Sequence, residues 1–207
     1  MKKIDWKTLI ITVLVCFIPI VIGVIFYNKM PDEMAMHFGM NNKPDVYASK
    51  NFVLFLIPVI MILLQVFCCV ISDINGAKKK NSPKVIGIVK WIVPVLSIVI
   101  YITMIVYSLG YDLDIRRIIC TVIGLIFMIL GNYMPKMSFE DATNIMYPKP
   151  KDAKKFMSVS KVIGYTFVVL GLLLIISVVL KPMYSYGVLI LTAVITIIEA
   201  IYFIFKK

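Results

Sequence analysis

The stretch TLIITVLVCFIPIVIGVIFY, from Thr8 to Tyr27, carries no charged residue. An α-helix of about 20 apolar residues crosses the hydrocarbon of a bilayer. The stretch is continuously apolar and does not alternate with period two, so it reads as a helix and not as a barrel strand. Lys2, Lys3 and Lys7 precede it as they would a secretory signal. The run is too long for a signal core, however, and no small-x-small cleavage site follows, so it predicts a retained first helix. The pattern recurs at residues 52–74, 85–109, 118–134, 162–180 and 186–205.

The whole chain follows this stretch. Of 207 residues, 61% are hydrophobic and 16% are charged. A soluble domain is roughly half apolar and roughly a quarter charged. Six spans use about 120 residues at about 20 each, which leaves no room for a separate soluble domain. The sequence predicts one all-α integral membrane domain over residues 1–207, a polytopic bundle of six transmembrane helices. An ordinary soluble enzyme, a disordered chain and a disulfide-stapled secreted domain are excluded. Pro19, Pro58 and Pro94 fall within spans and predict kinks in the first three helices. Cys16, Cys68, Cys69 and Cys120 all lie in apolar runs and read as small hydrophobes.

The formal charge is +11. On a soluble chain such a balance points to nucleic acid. In a membrane chain, lysine and arginine placement sets orientation instead, so no direct nucleic-acid contact is expected. With the N-terminus in the cytoplasm, sixteen of 22 basic residues fall on the inner side. The outer side keeps Lys29, Lys43, Lys50, Arg116, Arg117 and Lys181. The prediction is that both termini are cytoplasmic, in a multi-pass protein of a bacterial cell membrane.

Two connections are long enough to carry function, an outer loop at 28–51 and an inner loop at 135–161. The outer loop holds the only histidine, His37, among turn-forming Pro, Asn and Asp residues. It reads as a small lid over the helix ends, either as a contact surface for an external ligand or as a self-satisfied cap. In the second case His37 bonds a backbone carbonyl or Asp45. His37 is also the side chain best placed to change charge between mildly acidic and neutral pH. The inner basic residues Lys78, Lys79, Lys80, Lys149, Lys151, Lys154 and Lys155 suit the anionic inner leaflet or a docked cytoplasmic protein.

Chemistry-bearing motifs are sparse. One histidine does not build a multi-histidine metal site, and neither HExxH nor a glycine-rich phosphate loop is present. No cofactor or metal is expected, and no catalytic residue is assigned. Glu199 and Gln65 lie within spans, where polar groups are costly. Glu199 reads as a relay or coupling site, or as a carboxylate that reaches the interface or pairs with Lys90 or a terminal lysine. Gln65 reads as a hydrogen bond between helices. Asp73 reads as interfacial. The segments VIGLIFMILG (Val122–Gly131) and VIGYTFVVLG (Val162–Gly171) each place two glycines seven residues apart, on one helical face. That spacing predicts a close glycine seam between the fourth and fifth helices.

The stretch MPDEMAMHFGMNNKPDVYASK, Met30–Lys50, resembles the outer-loop signature of the SdpI family of bacterial membrane proteins. Pro31, His37, Phe38, Asp45, Tyr47, Ser49 and Lys50 match it, as does Pro58 early in the next helix. A second hallmark, Gly-Asn-Tyr at a helix end, is matched by Gly131, Asn132 and Tyr133. Ala35 replaces the usual proline and Gly39 the usual asparagine. The inner loop reads NIMYPKPKDAKK, without the arginine and tryptophan common in the family. The resemblance implies immunity against a secreted antimicrobial or toxin peptide, contacted by the outer loop. It further implies sensing of that peptide and capture of a small helix-turn-helix repressor on the cytoplasmic side. A small transporter or channel, and less readily an intramembrane enzyme using His37, stay open as alternatives.

Overall fold

A computed structural model describes residues 4–39, 41–76, 84–140, 142 and 152–205. Six long helices account for most of it: α1 (Trp6–Phe26), α2 (Ile57–Gly76), α3 (Lys84–Ser108), α4 (Ile115–Tyr133), α5 (Ala153–Ser177) and α6 (Pro182–Phe205). Among the described residues, six segments are long and apolar enough to cross a membrane, namely Trp6–Lys29, Phe52–Ile74, Ile86–Ser108, Ile115–Lys136, Ala153–Ser177 and Pro182–Tyr202. The protein is a multi-pass membrane helical bundle. Large side chains such as Leu14, Ile25, Leu63, Phe67 and Val169 are exposed along these helices. In a soluble protein such exposure would be an aggregation hazard, and here it is the lipid-facing surface.

The fold adds a feature that the reading of the first loop as turns did not contain. Strand β1 (Glu33–Phe38) pairs antiparallel with β2 (Pro44–Ser49), with Glu33 opposite Ser49 and Ala35 opposite Tyr47. A bulge follows at His37.

The fifth helix also departs from its apolar run. It begins at Ala153, well inside the stretch read as the inner loop 135–161. Asp152 caps it, its side chain accepting from the Lys155 N–H at 2.9 Å. Charged residues in that first turn end the apolar run without ending the helix. The sixth helix likewise starts at Pro182, where a proline at N1 loses no intrahelical bond.

The chain forms two compact units, one of Met1–Ile74 with Val89–Ile115, the other of Asn75–Ile88 with Arg116–Lys207. In the first, Asp5 caps α1, accepting from the Thr8 N–H and, at 2.6 Å, from the Thr8 hydroxyl. Those bonds hold the Asp5 carboxyl below the usual aspartate value. The core of this unit is a cluster of Met30, Met34, Val53, Leu54, Tyr101, Met104 and Ile105.

A π-helical turn, Phe52–Leu56, leads into α2. Pro58 has no N–H for the Leu54 carbonyl four residues back. The Tyr101 hydroxyl donates to that oxygen at 3.1 Å. Gly23 makes the arrangement possible, because a Cβ there would collide with the Tyr101 hydroxyl.

The second unit is built on the glycine seam. A Cβ on Gly124 would lie 2.7 Å from the Gly171 carbonyl oxygen, and one on Gly171 would lie 2.5 Å from that of Gly124. Gly131 and Gly164 repeat the reciprocal relationship at 2.5 and 2.7 Å. The two seven-residue spacings therefore mesh as an antiparallel pair, and Phe127 stacks on Phe167 beside them at 4.7 Å. Pro135 closes the lower end, 2.6 Å from where a Gly164 Cβ would stand.

Candidate functional site

The hairpin is held at three places, and each follows from a particular residue. At its base, the Lys50 N–H donates to the Asp32 carbonyl at 2.9 Å, and the Lys50 ammonium meets the Asp32 carboxylate at 2.9 Å. The same ammonium lies over the Tyr27 ring, 4.9 Å from its centroid, and the Tyr27 hydroxyl donates to Asn51 at 2.8 Å. The hydrogen bond with Lys50 lowers the Asp32 carboxyl below its ordinary value and raises the Lys50 ammonium above its own. Along its inner face, Met34 and Ala35 are buried. Phe38 packs edge-on against Tyr107, with ring centroids 4.8 Å apart.

The tip is held by Asn42, which has a positive φ of 58°. Asparagine tolerates that conformation better than most residues. It lets the side chain reach the segment after α3. The Asn42 amide donates to the Leu113 carbonyl at 2.9 Å, and its oxygen accepts from the Ile115 N–H at 2.9 Å.

What these fastenings leave uncovered is a compact polar and aromatic surface. Pro31, His37, Asp45, Val46 and Tyr47 are exposed. Of the two kinds of partner that the sequence offers His37, the one it meets is Asp45, with Nδ1 2.6 Å from the carboxylate. Gly39 leaves room for that carboxylate, since a Cβ there would stand 3.2 Å from Asp45 Oδ2. The structure thus brings Pro31, His37, Phe38, Asp45, Tyr47 and Lys50 onto one hairpin. Among the described residues, no group of three or more His, Cys, Asp and Glu side chains is placed to hold a metal.

The Gly-Asn-Tyr hallmark is a helix-end device. Gly131 permits the close approach to Gly164, while Asn132 accepts from Lys136 Nζ at 3.0 Å and the Tyr133 ring lies 5.0 Å from that ammonium. Among the inner lysines, Lys154 is exposed and Lys155 half-buried. Lys78, Lys79, Lys80, Lys149 and Lys151 lie outside the described residues.

The intramembrane polar residues follow a different arrangement from the simplest sequence reading. Asp73, one residue from the end of its span, is buried, and it binds the buried Lys90 ammonium at 2.5 Å. Its other oxygen accepts from the Asp5 N–H at 3.1 Å. The partner of Lys90 is therefore Asp73. Gln65, fully buried, donates to the Lys90 carbonyl at 2.9 Å and to Cys69 Sγ at 3.0 Å. Sequence reasoning also passed over the buried Arg116, which donates to Ser185 Oγ at 2.5 Å, while Ser185 donates to the Ser177 carbonyl at 2.7 Å. Its signal was an arginine at the edge of an apolar run, counted there only as a loop charge.

The fold and hairpin define a six-helix membrane protein with a β-hairpin between its first two spans. The domain family DUF1648, described as a domain of unknown function, matches residues 14–62, which include the hairpin. The chain is 25% identical over 128 residues to "Immunity protein SdpI" of Bacillus subtilis (strain 168), covering 62% of this chain and 60% of that relative. The match thus spans less than two thirds of the relative's length. No solved structure matches. The chain is SdpI-like.

Proposed function

We propose that this chain is a membrane immunity protein against a secreted antimicrobial peptide. The observation that carries the proposal is the hairpin, fastened at base and tip yet open at His37, Asp45, Val46 and Tyr47. A loop that only joined two spans would need about four residues and no such fastening. Ordering the loop in advance lowers the entropy cost of gripping a ligand. The similarity to an immunity protein supports the same reading.

In this proposal the lysine asymmetry keeps both termini cytoplasmic and turns the hairpin outward. The exposed Val46 and Tyr47 give the peptide apolar and aromatic contact, and the His37–Asp45 pair gives it a polar one. On the cytoplasmic face, Lys78, Lys79, Lys80, Lys149, Lys151, Lys154 and Lys155 contact anionic lipid and offer a docking surface for a small helix-turn-helix repressor. Capture of that repressor when the peptide binds outside is the signalling part of the proposal.

Deleting the gene is expected to sensitise cells to a cognate secreted peptide, and Tyr47→Ser combined with His37→Ala to reproduce much of that loss at unchanged membrane abundance. Unchanged susceptibility across candidate peptides would sink the immunity reading. Full protection by the double variant would sink the hairpin's role in it.

A further inference from the structure

A groove of about 300 Å³ opens between α5 and α6, lined by Ser158, Val159, Val162, Ile163, Ile198, Glu199 and Tyr202. Its walls are mostly aliphatic, and one carboxylate faces into them. Glu199 Oε2 is buried and has no hydrogen-bond partner among the described residues. Such an oxygen is costly to leave unmatched in a low-dielectric setting. Glu199 is six residues before Phe205, where α6 ends, so it lies about 9 Å along the helix from that end. That depth is where lipid headgroups meet acyl chains.

We propose that this groove binds a phospholipid carrying a primary ammonium, of the phosphatidylethanolamine type. Charge complementarity selects the headgroup. An ammonium brings three N–H donors to a carboxylate oxygen that lacks one, whereas a glycerol headgroup brings no positive charge. A trimethylated ammonium brings charge without a donor. Lys154 and Lys155 lie one helical turn before Ser158 and Val159 on α5. They are placed to neutralise the lipid phosphate, while Val159, Val162, Ile163 and Ile198 take the acyl chain. The site belongs to α5 and α6 alone and does not depend on the role of the hairpin.

The test uses the full-length protein in detergent micelles, with phosphatidylethanolamine, phosphatidylglycerol and phosphatidylcholine of identical chains added in turn. Native mass spectrometry reads the lipid retained. Phosphatidylethanolamine is expected to be held about tenfold more tightly than the other two, the scale of one charge-assisted bond. Glu199→Gln is expected to abolish that preference, while Glu199→Asp and the hairpin control Glu33→Gln keep it. Equal retention of phosphatidylglycerol, no preference in the unaltered protein, or a preference undiminished in Glu199→Gln would each overturn the proposal. A change of oligomeric state in Glu199→Gln, with no change in lipid preference, would assign the groove to a second copy of the chain and overturn it as well. Glu199→Asp separates loss of the site from loss of the fold, because it keeps the charge.

Discussion

Asn42 and Ile115 are 73 residues apart in the chain, and the Asn42 side-chain oxygen caps the Ile115 N–H at 2.9 Å. The same carboxamide donates to Leu113 at 2.9 Å. One side chain at the hairpin tip thereby satisfies a donor and an acceptor at the entrance to α4. Helix starts leave such N–H groups without intrahelical partners.

Asn42→Ala removes both bonds and places a Cβ residue without a compensating side chain at φ 58°. A lost cap and an alanine in the left-handed region together cost about 2 kcal/mol. Hydrogen exchange in the hairpin should quicken accordingly. Asn42→Gly should fall between the two, because it removes the bonds but not the conformational ease. Identical exchange in all three proteins would show that the tip is held by something else.

Gly131→Ala should disrupt the α4–α5 seam, because its Cβ would stand 2.5 Å from the Gly164 carbonyl and 2.8 Å from Phe167 Cβ. Backbone cannot yield as a flexible side chain does, and overpacking of this kind costs about 1–3 kcal/mol. Gly87→Ala is the matched control, since nothing lies within 4 Å of its Cβ position. A lower detergent unfolding temperature is expected for Gly131→Ala only.

Asp73→Ala would leave the buried Lys90 ammonium with Asp5 as its remaining acidic neighbour, at 4.0 Å. Breaking a buried pair from one side costs about 3–5 kcal/mol. Combining Asp73→Ala with Lys90→Met should recover most of the loss, because it removes the stranded charge. If the double variant unfolds at no higher temperature than the single one, the pair is not the source of the effect.

The Asp32–Lys50 closure of the hairpin base has a defined pH window. The folded Asp32 carboxyl is lowered by Lys50, so its contribution is present above the ordinary aspartate value and disappears as pH falls through the lowered one. The Lys50 ammonium is raised by Asp32, so its contribution is present below the ordinary lysine value and disappears as pH rises through the raised one. Proteolytic protection of the hairpin should therefore be flat through neutrality and weaken toward either extreme. Asp32→Asn should flatten the profile. A wild-type profile that stays level into strong acid would contradict the closure.

The sequence displayed the six spans because each is a continuous apolar run, and it displayed the glycine seam because two spacings of seven match across antiparallel helices. The hairpin was less visible. β1 reads EMAMHF, with no β-branched residue and no clean alternation, and Pro44 opens β2. Its inward side is defined by packing on the Tyr101 cluster, which is a tertiary fact. The Asp73–Lys90 pair joins residues on separate helices, and a lysine near a span end looks the same in sequence whether it reaches water or a buried carboxylate. The early start of α5 did have a local sign, Asp152, which the lysines after it masked.

The π turn at Phe52–Leu56 carries one residue more than an α-helical turn would. Removing a single residue there would let the helix wind regularly while every side chain from Met61 downward kept its bearing. The same deletion in the middle of α2 would rotate the lower half by about 100°, carrying Asp73 away from Lys90. The entrance to the second span thus holds slack in its winding, and a length change in this stretch is tolerated only there.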